Sequence, residues 1–348
     1  FHADYKSGVK LFVKRVFITD DEKELLPVYL RFVRGIIDSE DLPLNVSREI
    51  LQQNRILAGI QSASVKKLLG EFRKLAESDP VKYDTFITEF NRPLKEGLYS
   101  DYAHREELAE LVRFKTTFEA AAEKDEDGNE KPASVWTSFA DYVSRMKTDQ
   151  KAIYYITGGD EKTLRQSPHL EAYRAKGFEV LIMSDEIDDI VIPSLGKYKD
   201  WDLKAVNRAG SDDELANEEE KKAAKEKEKD SKPVVEKIKK ALGERVKDVR
   251  VSRRLADSPS CIVVDENDPS LQMERMMKAM GQAGLAEVKP ILEINPDHAL
   301  VTKLRDTDDE GYIDDVSSVL LDQALLVEGS DIKDPADFVK KLNRLLSK

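Results

Sequence analysis

The chain has 348 residues, of which 40% are hydrophobic and 36% charged. That length suffices for two or three domains of about 100–200 residues each. Its 56 Lys and Arg against 68 Asp and Glu leave a net charge of −12, which argues against a nucleic-acid binder or a protein of anionic membranes, since both need a concentrated basic face. One cysteine, Cys261, excludes an intrachain disulfide framework, and no apolar run approaches the ~18–20 residues of a membrane span.

The chain does not begin with Met and starts almost at once on a strand pattern, so the expectation is that part of a longer protein precedes it. Residues 8–18, GVKLFVKRVFI, alternate as a strand does: Val9, Leu11 and Val13 on one side, Lys10, Phe12 and Lys14 on the other. The following EKELLPVYLRFVRGIID changes to helical spacing, with Leu26, Leu30, Val33 and Ile37 on one face. A loop, SEDLPLN, leads into a helical pattern from Ser47 to about Ala76. Asp79-Pro80 is an N-cap followed by a first-turn proline, and REELAELVRF is a further helix ending at Phe114. The polar stretch EAAAEKDEDGNEKPAS reads as an exposed loop.

SFADYVSRM then predicts a short helix. KAIYYITGG and FEVLIMSD predict strands joined by the helical crossover KTLRQSPHLEAYRAKG, a βαβ unit with a parallel pair. The almost wholly charged run 211–232 predicts a solvated helix or linker and a domain boundary. Beyond it come a helix (VVEKIKKALGERV), strands in VKDVRVSRRL, SCIVVD and VKPILEIN, a methionine-rich helix, and two closing helices.

Complete catalytic constellations are absent from the sequence. TGGD follows a strand, but neither G-x-G-x-x-G nor G-x-x-x-x-G-K-[ST] is present. His2, His104, His169 and His298 lack metal-ligand spacing, and Cys261 sits in an apolar strand, where a thiol behaves as a small hydrophobe. Met273, Met276, Met277 and Met280 share one helical face, which suits either a core helix or a surface for varied apolar partners. Val316, Val319, Leu320, Gln323 and Leu326 line one C-terminal helix, and Phe338, Leu342 and Leu345 the other. Such a hairpin packs on its own chain or joins a second copy in a four-helix bundle. Arg48 falls in the first turn after Ser47, with Gln52 one turn on. A helix N-terminus attracts anions, so Arg48 either pairs with Asp41 or Glu49 or is aimed at a phosphate.

RFVRGIIDSEDLPLNVSREILQQN resembles the middle-domain signature of the ninety-kilodalton heat-shock protein family, and DYVSRMKTDQKAIYYITGG, GERVKDVRVSRRL and LEINPDHALV resemble its bacterial branch. The resemblance implies an α/β/α sandwich middle domain, with a large subdomain at 1–115 lacking its N-terminal edge and a helical connection plus small βαβ subdomain at 116–208. It implies a charged linker helix and an α+β dimerisation domain at 209–348, closed by helices in a four-helix bundle. The ATP pocket, with its Mg, belongs to an absent N-terminal ATPase domain, so this portion holds no cofactor or metal itself. Arg48 reaches the ATP γ-phosphate in the intact protein, with Gln52 beside it. Partly folded clients meet the methionine helix. In some bacterial relatives a Trp contacts clients where Ile190 stands here, and Trp201 is a weak substitute. The implied whole is a cytoplasmic, ATP-dependent dimeric clamp; the rival is a dimeric scaffold or holdase that needs no nucleotide.

Overall fold

The computed structural model describes residues 7–20, 23–42, 55–119, 123–124, 130–131, 134–212, 215–265, 268–279, 281 and 288–347. By contact the chain divides into two compact units, one of residues 1–114, 120–141 and 190–198, the other of 115–119, 142–189 and 199–348. Residues 209–348, expected as a region of their own, thus share a unit with 142–189.

The first unit opens on β1 (Val9–Val13) and β2 (Val16–Thr19), an antiparallel pair. The single strand expected over 8–18 is therefore a hairpin. Its two-residue turn puts Lys14 and Arg15 at φ 50° and 66°, a left-handed pair usually supplied by Asn-Gly. The third strand, β3 (Gly35–Ser39), holds that turn: Lys14 N–H donates to Ser39 O at 3.1 Å and Arg15 N–H to Asp38 Oδ1 at 3.1 Å. β3 runs parallel to β1, and the sheet order is β2-β1-β3. The helix expected through Leu26, Leu30, Val33 and Ile37 is replaced by one 3₁₀ turn, Val28–Leu30, and this strand. Pro27 cannot donate inside a helix, and Gly35 with β-branched Ile36 and Ile37 favours extended chain.

Helices α1 (Arg55–Ser78), α2 (Pro80–Ser100) and α3 (Arg105–Leu111) complete this unit's framework. Asp79 caps α2 as expected, Oδ1 accepting from Lys82 N–H at 3.0 Å. Phe32 stacks on Phe90 with ring centroids 4.4 Å apart, and Phe72 and Phe86 join the cluster. Asn91 and the backbone of Arg113 exchange two hydrogen bonds, of 2.7 and 3.1 Å, which tie α2 to the exit of α3.

A short strand β4 (Lys115–Thr116) follows, then the β5–β6 hairpin (Glu123–Lys124, Glu130–Lys131) and α4 (Phe139–Arg145). In the second unit, β7 (Ile153–Ile156) and β8 (Leu181–Ile182) are parallel, the βαβ unit expected. The crossover is broken at Ser167-Pro168 into α5 (Glu161–Arg165) and α6 (Glu171–Lys176), joined by a 3₁₀ turn. After α7 (Asp188–Leu195) and β9 (Lys197–Tyr198), β10 (Trp201–Ala205) pairs parallel with β7, so these strands lie in the order β4-β8-β7-β10. Tyr154, Tyr173, Phe178 and Leu170 fill the core against them.

The charged run continues into a single 25-residue helix, α8 (Glu218–Leu242), opened by an Asn217/Glu220 capping box. Its first half is solvated. Its second half buries Val234, Ile238 and Leu242, spaced by four, on the sheet formed by β11 (Asp248–Val251), β13 (Ile291–Ile294) and β12 (Ser260–Val263) in that order. Helix α9 (Leu271–Ala279) connects β12 to β13; α10 (Ala299–Arg305), α11 (Glu310–Val327) and α12 (Pro335–Leu346) follow. Val301 and Leu304 of α10 and Val316, Leu320, Leu321 and Ala324 of α11 complete that core.

Candidate functional site

Arg48, Gln52 and Met280 lie outside the described residues, so the surroundings of the signature arginine rest on the sequence alone.

The methionine helix α9 is anchored mainly by polar contacts. Ser270 caps it, Oγ accepting from Met273 N–H at 3.0 Å and donating to Asp189 Oδ2 at 2.9 Å. The Arg275 guanidinium donates to the carbonyls of Glu328 and Gly329, just past the end of α11. Glu274 is buried, 2.5 Å from Lys278. Leu271, not the methionines, packs against the C-terminal core. Met273, Met276 and Met277 are half-buried, and so form neither a sealed core face nor a bare one. Ile190 and Trp201 are also half-buried, at the start of α7 and of β10.

The C-terminal hairpin corrects part of the expectation. Val316, Val319 and Leu320 are buried by the chain itself, because α11 lies across β12 and α8, and they are not free for a partner in this fold. Leu326 is 48% exposed, and Phe338, Leu342 and Leu345 are half-buried. Val327, Val339 and Leu346 of the same two helices are exposed.

Sequence reasoning missed a buried charge. Arg254, the second arginine of VSRRL, is fully buried between Asp212 and Glu293. Its Nη2 donates to Asp212 Oδ1 at 2.9 Å and to Arg208 O at 3.2 Å, and Nη1 donates to Val206 O and to Ser211 Oγ at 3.2 Å. Nε lies 2.9 Å from Glu293 Oε2, at ion-pair distance but without hydrogen-bond alignment. Burial works against the guanidinium's charge, but Glu293 and then Asp212 outweigh it and hold the group more firmly protonated than usual. The only available signal was two adjacent arginines leaving a strand, one of which has to face inward. Cys261 is buried as expected, yet Sγ lies 3.8 Å from Glu293 Oε2. Burial, then that carboxylate, push its thiol well above the ordinary value, which makes it a poor nucleophile.

Of the histidines, His169 is buried with Nε2 3.0 Å from Glu328 Oε1, His104 Nδ1 lies 2.9 Å from Asp101 Oδ2, and His298 Nδ1 accepts from Leu300 N–H at the start of α10. Among the described residues no group of His, Cys, Asp and Glu is placed to hold a metal, and no helix is long and apolar enough to cross a membrane. In TGGD, Asp160 Oδ1 caps α5, accepting from Thr163 N–H at 3.0 Å.

A family model described as Hsp90 protein matches residues 1–348. Over 347 residues the chain is 74% identical to a protein of Treponema denticola named Chaperone protein HtpG, covering all of this chain and 53% of that relative. Proteins of the same name from Treponema pallidum and Aliarcobacter butzleri are 66% and 52% identical over the whole chain, which covers 53% and 52% of them. The chain thus spans about half the length of the curated relatives it matches.

Proposed function

The chain belongs to the Hsp90 protein family, and from that premise we propose that it is the middle and C-terminal portion of an ATP-dependent dimeric chaperone acting in the cytoplasm. The observation that carries this reading is the match over every residue of the chain to relatives named as chaperones, of which it makes up about half. ATP and Mg are held by the other half. Arg48 stabilises charge on the transferring phosphoryl group, with Gln52 beside it; an arginine supplied in this way contributes a factor of ~10³–10⁵ where it has been measured.

Clients meet the methionine face of α9. Flexible thioethers adapt to many apolar shapes, and polar anchoring leaves Met273, Met276 and Met277 half-open. Ile190 offers a second apolar contact. Two copies join through the exposed apolar residues of α11 and α12, Leu326 among them, with Phe338, Leu342 and Leu345 alongside.

The test is ATP turnover by the intact protein carrying Arg48→Ala. A fall of at least tenfold supports the assignment. An unchanged rate removes the catalytic role, and no turnover by the native intact protein leaves a nucleotide-independent dimeric scaffold or holdase. Replacing Met273, Met276 and Met277 with Ser is expected to weaken holding of an unfolded protein while leaving the dimer mass intact. Undiminished holding assigns α9 to packing alone.

A further inference from the structure

A cleft of about 470 Å³ lies beside the first half of α8, within the ~300–1,000 Å³ of small-ligand sites. Ala223 and Ala224 of α8 and Val251 and Leu255 beyond β11 give it apolar walls, and the buried carboxylates of Asp212 and Glu293 contribute to its lining.

Lys176, Lys227, Arg250 and Arg253 line it against Asp212, Glu220, Glu228, Glu293 and Asp297, and the imbalance lies in the buried subset. Lys176 lies 2.9 Å from Glu220, Lys227 2.6 Å from Asp297 and Arg250 3.1 Å from Asp248, and Arg253 is also engaged. Asp212 and Glu293, however, share the one guanidinium of Arg254. Two buried anions against one buried cation leave one negative charge that a cation entering from the cleft can answer. Asp212 Oδ1 is taken by Arg254, whereas Asp212 Oδ2 has no hydrogen bond among the described residues.

We propose that this cleft binds an alkylammonium group, its nitrogen at Asp212 Oδ2 and its aliphatic stem along Ala223, Ala224, Val251 and Leu255. One open carboxylate oxygen suits a compact ammonium. It offers half of what a guanidinium fork needs and far fewer oxygens than a hard metal ion requires. Small apolar side chains leave room for a methylene stem, the way such chains lie along apolar surface with the charge at the tip. The group comes either from a free amine or from a lysine side chain of a bound polypeptide. The inference goes beyond the chaperone reading and does not depend on it.

The test is titration of the 348-residue chain with n-butylammonium chloride, following amide resonances of Ala223, Ala224, Val251 and Leu255. NaCl and n-butanol serve as controls. A saturable millimolar response to the amine, absent with NaCl and at least tenfold weaker with the alcohol, is expected. Ala224→Leu fills the cleft from an exposed helix and is expected to weaken binding by at least about tenfold, ~1.4 kcal/mol. Asp212→Asn is expected to do the same; should that variant not fold, Ala224→Leu carries the test by itself. A lysine tripeptide that binds at least as tightly as butylammonium, and loses binding when its Nε is acetylated, assigns the polypeptide source. Binding by the free amine but not the peptide assigns the small-molecule source. No saturable response beyond NaCl, equal binding of butanol, or indifference to Ala224→Leu overturns the proposal.

Discussion

Replacing Arg254 with Leu removes the cation from between two buried carboxylates while keeping much of the side chain's volume. The structure sets the size of the effect. Asp212 and Glu293 are 6% exposed and lose their counter-charge, and the carbonyls of Val206 and Arg208 lose a donor. Stranding the partners of a buried ion pair costs about 3–5 kcal/mol, while both carbonyls keep the Ser211 hydroxyl as a donor and add little. A loss of about 4 kcal/mol is therefore expected from urea unfolding at neutral pH. Glu293 keeps the Ser252 hydroxyl as a donor, and a neutral hydroxyl does not replace the lost cation. A variant within about 1 kcal/mol of the native chain would refute the reasoning.

Gly97→Ala is expected to destabilise the first unit. A Cβ there would lie 2.8 Å from Leu108 Cδ1 and 2.9 Å from Tyr29 Cγ, an overpacking cost of about 1–3 kcal/mol that exceeds the ~1 kcal/mol gained from alanine's helix propensity. A raised melting temperature would contradict it. Burial pushes the Asp101 carboxyl up, but hydrogen bonds from Tyr29 (2.8 Å) and His104 outweigh that and hold it below the ordinary value. Its contribution is complete above the unfolded value of ~4 and is lost as pH falls through the depressed folded value. Tyr29→Phe should cost about 1–2 kcal/mol at neutral pH and make the acid loss shallower; urea midpoints of both chains at two pH values decide it, and a constant difference between them denies the linkage. Leu326→Glu with Val339→Glu is expected to halve the mass seen by light scattering at micromolar concentration without lowering the melting temperature. A dimer that persists puts the contact elsewhere.

Local chemistry was legible where one residue type dictates one geometry. Asp79-Pro80 starts a helix because proline fixes φ and aspartate supplies the cap, and the βαβ unit announced itself by apolar strands around a helical crossover. Misreadings came where two patterns coincide. Leu26, Leu30, Val33 and Ile37 fit a helical stripe, but Pro27 and Gly35 interrupt it and the partner that makes β3 a strand is β1, some twenty-five residues upstream. Lys14 and Arg15 carry no turn signal; their left-handed conformation is held by Ser39 and Asp38, contacts a local reading does not contain. The same holds for the candidate site. The methionines' common face was visible, whereas Arg275's hold on the end of α11 was not. Val316, Val319 and Leu320 looked like an interface because an apolar stripe does not say which surface covers it.

The second unit holds two apolar clusters, one on β7 and β8 and one on the β11-β13-β12 sheet. Much of what joins them is polar. Arg254 bonds the carbonyls of Val206 and Arg208 from one side while facing Glu293 on the other. The Glu171 carboxylate accepts from the N–H groups of Ala256 and Asp257 and from Ser258 Oγ; burial raises its pKa, but these donors outweigh that and hold it low. Arg208 reaches the carbonyls of Asp265 and Asp268. Apolar contact is nearly indifferent to small rotations, whereas hydrogen bonds weaken steeply with misalignment, so such a joint fixes orientation more than it adds stability. Substituting Arg254, Asp212 and Glu293 together by Met, Leu and Met separates the two contributions. If the triad mainly orients, the triple variant recovers to within a few kcal/mol of the native chain, while amide exchange quickens at 206–212 and 252–258. Equal protection in both chains would mean that apolar packing alone sets the geometry and that the buried charges orient nothing.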